Sequence, residues 1–99
     1  MENRIRALIV DGSEEFCEHL RAAMEKSCDV VGLAQDGVRA VELVRELQTD
    51  VMVLDMALPR LDGMAVLKAA DVLEKRPLTL VMSSFMTEYV AMMTTSLGV

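Results

Sequence analysis

The sequence predicts one α/β domain built on a doubly wound parallel sheet, and three observations carry the prediction. Short apolar runs alternate with stretches of helical periodicity four times along the chain, the pattern of strand-helix repeats with right-handed crossovers. Two of the runs, Ile5-Arg6-Ala7-Leu8-Ile9-Val10 and Val51-Met52-Val53-Leu54, are aliphatic along most of their length, as strands covered on both faces require. Both runs stop on a carboxylate, Asp11 and Asp55, at the edge where open α/β sheets bind ligands.

The elements follow in order. After the first strand, Ile5 to Val10, the pair Gly12-Ser13 turns the chain. Ser13 is placed to cap a helix, with Glu14 and Glu15 in a first turn where the helix dipole favours negative charge. Phe16, Leu20, Ala23 and Met24 recur at helical spacing, and this helix is expected to run to about Lys26. Asp29 to Ala34 reads as a second strand and Asp36-Gly37 as a turn. Val38, Val41, Val44 and Leu47 form the stripe of a second helix ending near Gln48-Thr49. The third strand is Val51 to Asp55. Pro59 has no amide hydrogen and a fixed φ, so the chain leaves the sheet there as a shaped loop. Beyond Gly63, the residues Met64, Leu67, Ala70 and Leu73 mark a third helix, stopped at Arg76-Pro77. Leu78 to Met82 is a fourth strand, followed by Ser83-Ser84. Phe85, Tyr89, Val90, Met93 and Leu97 outline a fourth helix before Gly98-Val99.

Length and composition narrow the function. Ninety-nine residues hold one domain. The chain is 53% hydrophobic with a mean hydropathy of +0.32, yet it has only two Phe, one Tyr and no Trp, so its core is aliphatic. A formal net charge of −6 argues against non-specific nucleic-acid binding and suits a site that holds a cation. No apolar signal core follows the charged start, and no apolar run approaches the ~18 residues that span a membrane; a cytoplasmic protein is expected. Cys17 and Cys28 are too far apart for a metal knuckle and are expected as two buried free thiols. His19 has no partner at ligand spacing and is expected at the surface.

Three strands end in polar groups on one sheet edge: Asp11, Asp55 and Ser83. In strand order 2-1-3-4 the first and third strands are neighbours, and the crevice lies between their tips. Two adjacent carboxylates repel, and a hard divalent cation removes the conflict; Mg²⁺ takes one or two carboxylates plus phosphate oxygens. Asp55 is then a nucleophile toward a phosphoryl group, forming an acyl phosphate, with the Ser83 hydroxyl against a phosphoryl oxygen. Spacing alone leaves a plainer alternative open, in which Asp11 and Asp55 are turn-forming residues at strand ends.

On these residues, on the segment Val53-Leu54-Asp55-Met56-Ala57-Leu58-Pro59 with Asp62-Gly63, and on Met82-Ser83-Ser84-Phe85, the chain resembles a response-regulator receiver domain of two-component signalling. The likeness runs from Ile5 to the last residue and implies the flavodoxin-like form of the fold. It implies that Asp55 accepts phosphate from a histidine kinase or phosphotransfer protein. It also implies that Asp11, Asp55 and the Ala57 backbone carbonyl ligate Mg²⁺. Ser83, with Ser84 beside it, would follow the phosphoryl group and switch the distal face, while Pro59 and Gly63 shape the loop. Such a domain is a switch and not an enzyme, and it relays to an output such as transcription. The ending Ser-Phe followed by Leu-Gly is similar to the sporulation-initiating transcription factors of endospore-forming Firmicutes.

Two departures from the family pattern bear on the chemistry. The family has an acidic pair after its first strand, and the second member ligates Mg²⁺; here the pair is Asp11-Gly12. Glu14 or Glu15 is the alternative donor, against the simpler role of both as helix-start charges. The family also has a fifth strand opening near a Lys-Pro, and a fifth helix. This chain stops before both, and no lysine follows Lys75. The expectation is a truncated domain whose Mg²⁺ binding is weak or absent. An open fourth-strand edge and an uncovered apolar face further imply a homodimer, in one form by exchange of the fourth strand-helix unit. Two functions therefore compete: a phosphoacceptor receiver, and a pseudo-receiver serving as a phosphorylation-independent interaction module. A phosphohydrolase of the haloacid dehalogenase type would need a second Asp where this chain has Ala57.

Overall fold

The computed structural model describes residues 4–82. They form strand β1 (Ile5–Val10), helix α1 (Glu14–Met24), strand β2 (Cys28–Ala34), helix α2 (Gly37–Glu46), strand β3 (Val51–Asp55), helix α3 (Gly63–Asp71) and strand β4 (Leu78–Met82). The expected fourth helix, with Ser83 and Ser84, lies outside the described residues.

All strands are parallel, in the order β2-β1-β3-β4. The expected doubly wound α/β fold is the one observed. Pairing sets Ala7 beside Val51 and Leu78, and Ile9 beside Val53 and Leu80, so these residues share one face. Leu8, Val10, Met52 and Leu54 share the other. There they form one cluster with Ala40, Leu43 and Val44 of α2 and Val66 and Ala70 of α3. Leu8, Val10, Met52, Leu54 and Val66 are fully buried, and each such side chain contributes about 1.5–3 kcal/mol of hydrophobic stabilisation. On the first face α1 packs against β1 and β2, with Cys17 fully buried. On the same face, among the described residues, Leu78 is 58% exposed, Leu80 51% and Ile5 48%.

The helices start where the capping residues stand. Ser13, Asp36 and Asp62 each occupy an N-cap and accept from the amides of Phe16, Arg39 and Ala65. Their ends fall short of the expected ones. α1 stops at Met24, before Lys26, because the Arg4 guanidinium donates to the carbonyls of Glu25 (2.7 Å) and Cys28 (3.0 Å) and ties the turn to β1. β2 accordingly begins one residue early, at Cys28. α2 stops at Glu46 and does not reach Gln48-Thr49. Leu47 is already extended, Arg6 Nε donates to the Gln48 carbonyl at 2.8 Å, and the Arg6 amide donates to Asp50 Oδ2 at 2.9 Å. α3 ends at Asp71, short of Leu73. Cys28 is half-buried, which corrects the expectation of two buried thiols. His19 is exposed, as expected. Among the described residues no helix is long and apolar enough to cross a membrane.

Candidate functional site

β1 and β3 are hydrogen-bonded neighbours, so the residues that end them stand side by side at the C-terminal edge of the sheet. The Asp11 amide continues the ladder to the Ala34 carbonyl at 3.0 Å. Its carboxylate Oδ1 accepts from the Ser13 amide at 2.9 Å, which turns the chain into α1. Asp55 pairs with Met82 of β4, and the next amide, Met56, reaches the Met82 carbonyl at 3.3 Å. Asp55 Oδ1 accepts from the Ala57 amide at 3.0 Å, which orients the carboxyl group.

Two carboxylates meet at this edge. Burial, the largest cause, pushes the Asp55 carboxyl above the usual carboxylate range; the Ala57 amide opposes it, and the neighbouring Asp11 adds to it by charge and by hydrogen-bonding contact. Among the described residues no cationic side chain is among the groups acting on Asp55. Ala57 and Pro59 are exposed, so the pocket opens to solvent beside the carboxylates.

The donor set fits a hard divalent cation with few protein ligands. Asp11 and Asp55 could supply two carboxylates, and the Ala57 backbone is tied to Asp55 through its amide; Mg²⁺ commonly takes few protein oxygens and fills the remainder with water and phosphate. Among the described residues no group of three or more His, Cys, Asp or Glu could hold a metal, so Glu14 and Glu15 are not gathered with Asp11 and Asp55. They stand in the first turn of α1. The position between Asp11 and Ser13 has room. Among the described residues, a Cβ on Gly12 would meet Pro59 Cδ at 3.4 Å and the Gln35 carbonyl at 3.9 Å.

The loop after Asp55 is held at both ends. The Gly63 amide donates to the Met56 carbonyl at 3.1 Å, and a Cβ on Gly63 would lie 2.6 Å from Met56 Cα. The Pro59 carbonyl accepts from Leu61 at 2.8 Å and from Gly37 at 3.2 Å. Arg60 donates to Asp36 across 3.2 Å. The structure thus brings Asp11, Asp55, Ala57, Pro59 and Gly63 to one edge, while Ser83 and Ser84 lie outside the described residues. Asp36, Gly37 and Arg60 also belong to this loop's surroundings. In the sequence the Asp-Gly pair signals only a turn.

Residues 7–99 match the family described as response regulator receiver domain. The chain is 36% identical over 86 residues to a protein-glutamate methylesterase/protein-glutamine glutaminase of Methanospirillum hungatei, covering 85% of this chain and 25% of that protein. It is 42% identical over 82 residues to another of the same description from Myxococcus xanthus, covering 81% and 24%. It therefore spans about a quarter of the length of these curated relatives. The crystal structure of the response regulator domain of Thermotoga maritima CheB superposes with a TM-score of 0.80 at 34% identity, covering 96% of this chain and 72% of that one.

Proposed function

Because the chain belongs to the response-regulator receiver domain family, we propose that it is a phosphoacceptor switch in which Asp55 takes a phosphoryl group from a histidine kinase or phosphotransfer protein. The observation that carries this reading is the pairing of the Asp11 and Asp55 tips on adjacent strands, with the Asp55 carboxyl raised by burial and by its acidic neighbour. In the reaction an Asp55 carboxylate oxygen attacks phosphorus in line with the departing group. The O–P bond forms as the P–N bond of a phosphohistidine breaks, and the imidazole leaves with the electron pair. The Ala57 amide holds Oδ1 and leaves Oδ2 to attack. Mg²⁺, held by Asp11, Asp55 and the Ala57 carbonyl, would supply charge neutralisation. With Gly12 in place of a third carboxylate, that affinity is weak. Ser83 and Ser84 are assigned to the phosphoryl oxygens and the switch from sequence.

The test is incubation with phosphoramidate and Mg²⁺ followed by intact mass. Gain of one phosphoryl group, lost in Asp55→Asn, supports the reading, and no gain at high donor concentration overturns it. The second result would favour the pseudo-receiver alternative, which Gly12 in place of an acidic residue supports.

The relatives at 36% and 42% identity carry the name of methylesterases, not of sporulation factors. The output we propose is accordingly a methylesterase-type unit, with the domain itself a cytoplasmic, non-catalytic switch. A chimera placing this domain in the Methanospirillum hungatei methylesterase should gain esterase activity with phosphodonor, and an unresponsive chimera would count against it. Self-association through the face carrying Ile5, Leu78 and Leu80 is proposed on their exposure. Light scattering at increasing concentration tests it, and a monomer throughout would refute it.

A further inference from the structure

Arg60 has a φ of 71°, in the left-handed region where a side-chain-bearing residue is strained. The Leu61 amide donates across it to the Pro59 carbonyl at 2.8 Å, a γ-turn centred on Arg60. Such strain persists only where surrounding contacts hold it, and it concentrates in functional loops. Here those contacts come from the start of α2. The Gly37 amide donates to the same Pro59 carbonyl at 3.2 Å. Gly37 is seated so tightly that a Cβ would collide with the Leu61 backbone carbonyl. Asp36 holds two partners: Oδ1 accepts from the Arg39 amide at 2.8 Å and caps α2, while Oδ2 accepts from Arg60 Nη1 at 3.2 Å.

We propose that Asp36, Gly37 and Arg60 form a latch that seats the Asp55 loop on α2, with Arg60 a positioning residue for the chemistry at Asp55. The link is short. Pro59 is two residues from Ala57, and the Ala57 amide is the group that orients the Asp55 carboxyl. Freeing Pro59 and Leu61 from α2 therefore loosens the donor that aims the nucleophile. The side chain of Asp36 is 22% exposed and that of Arg60 64%, so the pair is partly shielded and weakens as salt rises. The proposal rests on the phosphoacceptor reading for its chemistry but not for its structure.

Three variants test it in ¹⁵N-labelled protein. Asp36→Asn keeps a capping side chain and removes the charge. Arg60→Gly removes the side chain and relieves φ. Arg60→Lys keeps the charge. Without phosphodonor, Asp36→Asn and Arg60→Gly should each speed amide exchange at Gly37 by about two- to fivefold, the range an ion pair of this exposure supports, and shift the Ala57 amide resonance. Arg60→Lys should stay close to wild type, and about 1 M salt should bring wild type to the Asp36→Asn level. With phosphoramidate, initial labelling of Asp55 should slow in the same order. Unchanged exchange at Gly37 and an unmoved Ala57 resonance in both Asp36→Asn and Arg60→Gly would overturn the latch, as would Arg60→Lys behaving like Arg60→Gly. If wild type takes no phosphoryl group, the phosphoacceptor reading fails while the exchange measurements still decide the latch.

Discussion

Replacing Gly63 by Ala sets two effects of opposite sign against each other. Gly63 is the first residue of α3, and Ala is favoured over Gly by up to about 1 kcal/mol in a helix interior, less at a first turn. Propensity alone therefore predicts a more stable protein. The structure predicts the reverse, because the new Cβ would lie 2.6 Å from Met56 Cα, 2.9 Å from the Asp55 carbonyl oxygen and 2.9 Å from Met56 Sδ. The methionine sulfur can rotate away. The two backbone atoms belong to the end of β3 and its first loop residue, so relief means moving α3 off the strand. Overpacking of this kind costs about 1–3 kcal/mol, and the middle of that range less a first-turn propensity gain below about 1 kcal/mol leaves a net loss of about 1–2 kcal/mol. For a domain of this size that lowers the melting temperature by about 4–16 °C. Far-UV circular dichroism on reversible thermal unfolding, with a urea midpoint as a second measure, reads the change. Gly12→Ala is the control, since its Cβ would meet Pro59 Cδ at an ordinary 3.4 Å and should leave stability within about 1 kcal/mol. If Gly63→Ala melts at or above wild type, the close approach of α3 to the Asp55 backbone does not constrain the chain, and that reasoning is wrong.

Other expectations follow from the same contacts. Since the folded carboxyl of Asp55 is raised above its unfolded value, the folded state binds the proton more tightly. The linked stability is present below the unfolded value of about 3.9 and is lost as pH rises through the folded value. Asp55→Asn should therefore melt higher than wild type at neutral pH, and the difference should close on acidification; a constant difference across pH would refute the linkage. Gly12→Asp, placed where a side chain has room, should tighten Mg²⁺ binding by about tenfold or more in a resonance-shift titration, and an unchanged midpoint would show that the pocket does not gather Mg²⁺ at this point. Leu54→Ala, at a fully buried position in the cluster under α2 and α3, should cost about 2–5 kcal/mol in urea unfolding without changing the order of the strands.

Much of the site was legible because its signals are local. The aliphatic runs that became β1 and β3, the carboxylates that close them, and Ser13 as a cap all depend on residues within a few positions of one another. The helix ends depart from the apolar periodicity for the opposite reason. α2 has apolar side chains through Leu47, yet it stops at Glu46 because Arg6, 42 residues from Gln48 and 44 from Asp50, pulls the following backbone toward β1. Periodicity cannot register a bond that forms only after the sheet is assembled.

By itself, then, the chain's order of residues determined which segments form strands, which end in acid and which start a helix, since propensity, capping and apolar patterning act over one or two turns. Tertiary structure alone decided the rest. It set the tips of β1 and β3 together so that two carboxylates crowd one pocket, opened space beside Gly12, and closed Asp36 onto Arg60 across 24 residues. Those outcomes depend on distances between parts remote in sequence, and such distances exist only once crossover connections have stacked the helices on the sheet.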